Sequence, residues 1–137
     1  MILDHLGDLN WLAVIVAAVA WFAFSAIWYS VPPLSSAWMR AAKVTPGDGT
    51  ALVTLLIPTF IGYLVTTIVI ALLAKAIGAS EWMDGWSLGV VLGVGFGVIG
   101  ALVVQIYEQK GGSYWLINGL NAIIAYSIVA IIVTVWA

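Results

Sequence analysis

Cysteine is absent from this sequence, and histidine and charged side chains are scarce. Without a thiol, the chain can form no disulfide, no thiolate metal site and no cysteine nucleophile. His5 is the only histidine and lies at the terminus, so neither a nucleophile–histidine pair nor a mid-span haem ligand can be built from it. The formal net charge is −2, and no basic run exists that would bind nucleic acid or anionic headgroups.

Apolar residues dominate the composition. The chain of 137 residues is 64% hydrophobic and 7% charged, whereas a soluble domain is about 45–50% apolar and about 25% charged. The charged residues leave four charge-free stretches, at 9–39, 49–74, 85–107 and 111–137. Each stretch exceeds the roughly 20 residues that cross a hydrocarbon core about 30 Å thick.

These stretches predict an all-α integral membrane protein. A span in lipid must satisfy its own backbone hydrogen bonds, which favours helices. We therefore expect a four-transmembrane-helix bundle in which residues 1–137 form a single domain, with spans at about 11–29, 51–77, 86–107 and 113–136.

The link after the first span predicts a short helix at the membrane interface. The pair Pro32-Pro33 forbids simple continuation of the first span. Ser35 or Ser36 can cap a helix over residues 37–43, and the turn-forming residues 45–49 end it.

Aromatic residues lie near the predicted span ends, where amphipathic rings favour the headgroup region. The predicted interface anchors are Trp11, Trp28, Tyr29, Trp38, Trp86, Trp115 and Trp136. Trp21 differs, because it falls near the middle of the membrane. Its N–H is costly to leave unpaired in hydrocarbon, so we expect a packed core residue with one hydrogen bond.

The third span carries a stripe of small residues. Gly89, Gly93, Gly97 and Ala101 recur at four-residue spacing on one helix face. In lipid, such a stripe lets a second helix backbone approach closely. The pattern predicts helix–helix contact but leaves open whether the partner is in the same chain or in another copy.

Polar residues inside the spans give the candidate polar site. Tyr114, Asn118 and Asn121 project from one face of the fourth span. A buried amide needs partners, and Gln105 is a candidate for Asn121. With Tyr63 and Thr66 of the second span, these residues could form a substrate site. An interhelical hydrogen-bond clasp is the favoured interpretation, since amides hold bundles together in lipid.

Asp4, His5 and Asp8 could share one turn before the first span, which raises the hypothesis of a metal site. A solvated cap is the favoured alternative, so we expect no metal here.

Basic residues indicate the orientation: Arg40, Lys43 and Lys110 flank the first and third links, and Lys75 alone flanks the second. The positive-inside rule then places both termini outside the cytoplasm.

Four short segments carry a family resemblance: Asn10-Trp11-Leu12, Trp28-Tyr29-Ser30, Trp38-Met39 and Ile117-Asn118. Together they resemble the domain of unknown function 1761 family of small bacterial four-span membrane proteins. The chain departs from the family pattern at Val31, where proline is usual, and at 34–37, where the family has a Leu-Phe-Gly-Lys-like segment. The resemblance implies the fold and a bacterial inner-membrane location, but no activity.

The sequence favours a non-enzymatic role without a cofactor. No catalytic constellation is visible, and small multidrug exporters, which this length resembles, use a membrane carboxylate that the spans lack. We expect a structural or accessory bundle that contacts the lipid bilayer and forms a homo-oligomer or joins a larger membrane complex. The alternative is a small uncoupled transporter or channel for a neutral or apolar solute.

Overall fold

A computed structural model describes residues 1–42 and 50–136 of the chain. After a short 3-10 helix at Ile2–Asp8, the helices are α1 (Trp11–Ser30), α2 (Pro32–Ala42), α3 (Thr50–Ala76), α4 (Trp82–Glu108) and α5 (Tyr114–Val135). All of these helices except α2 are long and apolar enough to cross a membrane. The predicted all-α membrane bundle, with a short helix after its first span, is therefore confirmed.

The short helix α2 begins at Pro32, earlier than the predicted start at residue 37. The N–H groups of a first helical turn have no partner within the helix, so prolines that lack this group can open a helix. Only Val31, with extended backbone, separates α2 from α1. Lys43 and the predicted turn at 45–49 lie outside the described residues.

Helix α4 also begins earlier than the predicted residue 86. The carboxylate of Asp84 accepts the backbone N–H groups of Ser80 and Glu81 at 3.0 and 3.1 Å. This carboxylate satisfies free N–H groups ahead of the first turn, and its negative charge is favourable at a helix N-terminus. Because this turn is capped, the helix begins at Trp82.

Helix α5 lies at the centre of the bundle. It contacts α1, α3 and α4 along their lengths and also touches α2. Half of its span is buried inside the bundle, against 11% of the α4 span. Ala125, Val129 and Ala130 of α5 share one core with Val14 of α1 and Ile70 of α3. The other helices are therefore positioned chiefly through α5.

Helix α4 packs on α5 with its backbone close to the α5 backbone. A methyl group added at Gly85, Gly89 or Gly93 would come within 2.7 Å of α5 backbone atoms. Gly97 faces the Cβ of Ala122, and Ala101, further along, is half-buried. In this structure the glycines of the stripe thus lie against a helix of the same chain.

A π-helical turn at Gly93–Val98 interrupts α4. Residues at four-residue spacing drift by about 40° per step around an ordinary α-helix. A π turn holds about one extra residue, which rotates the helix face back. Gly89, before the turn, and Gly93, at its start, oppose Ser127 and Ile123, and Val98, at its end, opposes Gly119. The π turn therefore keeps α4 in contact with α5 from one end of the turn to the other.

Polar contacts tie both ends of the bundle. At one end, the side-chain Oδ1 of Asn10 accepts the N–H of Ala13 at 3.2 Å, while its Nδ2 donates to the backbone carbonyl of Trp136 at 2.8 Å. At the other end, the N–H of Gly111 donates to the carbonyl of Ala41, and a Cβ on Gly111 would lie 2.6 Å from the Ala41 Cα. Helix α2 is thus docked on the link that follows α4.

The close approach of α4 and α5 generates a stability prediction. Gly89→Ala should destabilise the bundle by about 1–3 kcal/mol, because the new methyl group meets the α5 backbone, which cannot move aside without a shift of the helix. The measurement is reversible unfolding in detergent micelles.

Gly100→Ala on the same helix is the matched control. No atom lies within 4 Å of a Cβ at Gly100, so this change should be neutral or should stabilise by up to about 1 kcal/mol through helix propensity. Equal stability of the two variants would contradict the described packing of α4 on α5.

Candidate functional site

Four polar side chains form a hydrogen-bonded part of the contact between α1 and α5 inside the bundle, and we call them the polar seam: Ser25, Tyr29, Asn118 and Asn121. Two come from the last turns of α1 and two from the first half of α5. Each α1 residue bonds to one α5 residue. The seam lies toward the end of the bundle where α2 docks.

Asn118 connects two tyrosines. Its Nδ2 donates to the backbone carbonyl of Tyr114 at 2.9 Å, one turn earlier in α5. Because the amide nitrogen is used there, the amide oxygen is directed at α1, where it accepts the hydroxyl of Tyr29 at 2.5 Å. Tyr29 was predicted as an interface anchor, and the structure gives its hydroxyl a partner within the bundle as well.

Asn121 is 7% exposed, and its Nδ2 donates to the Ser25 hydroxyl oxygen at 3.3 Å. The partner suggested from sequence, Gln105, does not hold this position. Val98 of α4 already faces Gly119, so the antiparallel course of α4 carries Gln105 past Asn121 toward the start of α5. Asn121 faces α1 instead, and the amide expected to need a partner finds one there.

Tyr63 lines a cavity between α1 and α3 whose wall also includes Ser25 and Tyr29 of the polar seam. The cavity has a volume of about 190 Å³. Its walls carry four hydroxyl-bearing side chains and three apolar ones: Ser25, Tyr29, Thr59 and Tyr63, with Phe22, Ala26 and Leu56. All seven are neutral, so the cavity offers hydrogen bonds and aromatic surface but no charge.

Thr66 lies apart from the other predicted site residues. It lines a separate groove of about 350 Å³ between α3 and α4, together with Tyr126 and Phe96. The predicted set therefore divides: Asn118 and Asn121 bond to cavity-lining residues and Tyr63 lines the cavity directly, but Thr66 faces elsewhere. Tyr114 takes part through its backbone carbonyl.

Sequence reasoning did not place Ser25 and Tyr29 in the candidate site. A signal for them exists, because they are one turn apart on the same helix face, as are Asn118 and Asn121 on theirs. Two polar faces of that kind on two apolar spans favour mutual contact, since lipid provides no other partner.

Trp21 stacks on Tyr63 and meets Tyr126 edge-on, with ring centroids 4.1 and 5.3 Å apart. It is 6% exposed, which fits a residue that faces protein. The expected hydrogen bond is not made, because the indole N–H has no acceptor among the described residues. The aromatic contacts, worth about 0.5–1.5 kcal/mol each beyond area burial, hold the ring in place without it.

The remaining predicted positions lie at the bundle surface and termini. Trp11, Trp86 and Trp136 are exposed, while Trp28, Trp38 and Trp115 are half-buried, with Trp38 packed edge-on against Tyr29.

The carboxylate of Asp4 pairs with the terminal ammonium at 2.8 Å, and the His5 ring lies 4.0 Å from Asp8. The described residues contain no group of three such side chains placed to share a metal ion.

Comparison with protein families places the chain beside a family of uncharacterised proteins. The family described as "Protein of unknown function (DUF1761)" matches residues 12–134. Because this covers most of the chain, the protein belongs to that family, and the predicted resemblance is confirmed. Comparisons with curated proteins and with solved structures find no match.

The bond between Tyr29 and Asn118 predicts an energetic coupling between α1 and α5. In a double-mutant cycle, Tyr29→Phe and Asn118→Leu should be coupled by about 0.6 kcal/mol and by no more than about 1.7 kcal/mol, the range of such bonds in membrane bundles. Unfolding of the two single variants and the double variant in micelles measures this coupling.

Tyr107→Phe serves as the control, because Tyr107 is 83% exposed. It should leave stability unchanged and show no coupling to Asn118→Leu. Additive effects of Tyr29→Phe and Asn118→Leu would mean that the seam does not hold the two helices together.

Proposed function

We propose that this family member is a structural or accessory component of the membrane, without catalytic activity, that associates with copies of itself or with a larger membrane complex. The observation that carries this proposal is the use of its intramembrane amides. Asn118 and Asn121 both bond to side chains of another helix in the same bundle. Amides used in this way hold helices together in lipid.

The uncoupled passage of a neutral or apolar solute receives less support. The predicted path would combine Tyr63 and Thr66 with the two amides, but Tyr63 and Thr66 line different openings. Coupling to protons would need an ionisable relay, and the charge-free stretches hold none. A packing role accounts for more of the polar residues than a path does.

Helix α4 offers the largest free surface for association. Only 11% of its span is buried, the smallest share among the four spans. The glycines of its small-residue stripe are occupied by α5, so contact with a second copy would use the opposite, apolar face, where Val91 is 68% exposed. Close van der Waals packing of such faces drives helix association in lipid.

The absence of cysteine makes this association directly testable. A single Val91→Cys change should give disulfide-linked dimers on mild oxidation in lipid, because a symmetric contact places the same residue of two copies together. Gel electrophoresis without reductant reports the dimer, and native mass spectrometry reports the unmodified assembly.

Val19→Cys on α1 is the matched control. Val19 is 51% exposed and lies about 12 Å along its helix, close to the roughly 13 Å of Val91 along α4. It should cross-link far less. A strictly monomeric species with no co-purifying protein, and no dimer from either cysteine, would contradict the proposal.

The proposal includes a bacterial inner-membrane location with both termini outside the cytoplasm. Its support is the basic bias, with Arg40, Lys43 and Lys110 at the first and third links and Lys75 near the second. The contact of Ala41 with Gly111 is in keeping with the two links sharing one side.

Single-cysteine labelling tests this orientation in intact cells. A thiol introduced at Ser80, in the second link, should react with an impermeant reagent added outside, while one at Gly112 should react only after the membrane is opened. Both positions are exposed, so their chemical access to reagent is matched. The reverse pattern would overturn the orientation.

A further inference from the structure

The cavity between α1 and α3 is open toward the outside of the bundle, where the lining residues Ala26 and Leu56 are exposed, and it has room for a small molecule. At about 190 Å³, it exceeds the roughly 150 Å³ of an engineered apolar cavity that admits benzene. Phe22 and Tyr63 supply aromatic surface on its wall, with their ring centroids 6.3 Å apart in an edge-to-face arrangement. One aromatic ring with a single small substituent matches this size and lining.

The hydrogen bonds of the polar seam determine which hydroxyl on the cavity wall can donate to a ligand and which can only accept. Tyr29 donates its proton to the Asn118 oxygen, and the second amide bond of Asn118, to Tyr114, keeps that oxygen turned toward Tyr29. The phenolic oxygen of Tyr29 still has lone pairs but no proton to give. On this wall Tyr29 is therefore an acceptor.

Ser25, in contrast, can act as a donor toward the cavity. Its oxygen accepts the N–H of Asn121, which leaves its own proton to donate. Ser30 and Ser127 give their protons to the carbonyl one turn back, but Ser25 makes no such bond among the described residues. It is 5% exposed and lines the cavity, so it presents a free donor in apolar surroundings.

Ser25 and Tyr29 are one turn apart on the same face of α1, a separation of about 5–6 Å between Cβ atoms. A ligand hydroxyl can accept from Ser25 and donate to Tyr29 at the same time, because it has both one proton and two lone pairs. An ether or a ketone can only accept, and a hydrocarbon can do neither.

We propose that this cavity binds a small neutral aromatic alcohol of about the size of phenol, with its hydroxyl between Ser25 and Tyr29 and its ring against Phe22 and Tyr63. The binding site is independent of the proposed association through α4. Asn118 and Asn121 act as positioning residues, because they set which cavity hydroxyl donates and which accepts.

Three fluorinated probes test the site by ¹⁹F NMR of the protein in lipid nanodiscs: 4-fluorophenol, 4-fluoroanisole and 4-fluorotoluene. Protein-free nanodiscs correct for partition into lipid. We expect saturable binding of the phenol, about fivefold tighter than that of the anisole, which keeps one hydrogen bond, and about 25-fold tighter than that of the toluene, which keeps none, since each hydrogen bond contributes roughly a fivefold gain.

Two variants locate the binding. Ser25→Ala should weaken the phenol by about fivefold and leave the toluene unchanged, whereas Ser30→Ala, outside the cavity on the same helix, should change neither. Ala26→Leu fills the cavity wall without touching the seam and should weaken all three probes. If Ser25→Ala does not fold, the probe series and Ala26→Leu decide the question.

The proposal is overturned by any of three results: no saturable phenol binding, equal affinity for the three probes, or unchanged binding in Ala26→Leu. Equal affinities would mean an apolar cavity without polar selection. An absence of saturable binding would mean that the cavity takes only water or lipid chains.

Discussion

The backbone contact between α4 and α5 is the constraint on which the rest of the bundle depends. Lipid gives no hydrophobic drive for one apolar helix to leave it and join another, so close packing must provide the attraction. Glycines at 85, 89 and 93 remove the side chains that would hold the helices apart. The π turn then keeps the later part of α4 facing α5. With α4 fixed on one side, α5 becomes the helix that α1 and α3 share.

The central place of α5 determines where its polar face goes. Its glycine-facing side is occupied by α4, so Asn118 and Asn121 are presented to α1. In hydrocarbon an unpaired amide is costly, and Ser25 and Tyr29 are the side chains that relieve this cost. The backbone contact therefore selects the partners of the seam indirectly, by deciding which face of α5 remains free.

This order of causes explains what the sequence could predict. The number of spans follows from the charge-free stretches, and the small-residue stripe follows from spacing, because both are properties of single segments. The partner of Asn121 depends on how α4 and α5 are placed, so Ser25 could not be chosen over Gln105 from spacing alone. The start of α2 at Pro32 was missed because proline both ends one helix and opens another.

The apolar surroundings of Ser25 and Tyr29 give the cavity its selectivity. Two amides that serve packing also use one proton of Tyr29 and one lone pair of Ser25, and so leave an acceptor and a donor side by side. At a protein surface, water would satisfy both groups and little discrimination would result. Inside a span, a ligand without a hydroxyl leaves them unpaired and so binds less tightly than a ligand that pairs with both. A structural clasp can therefore also act as a recognition element, because the bonds that hold α1 to α5 set the polarity of the cavity wall.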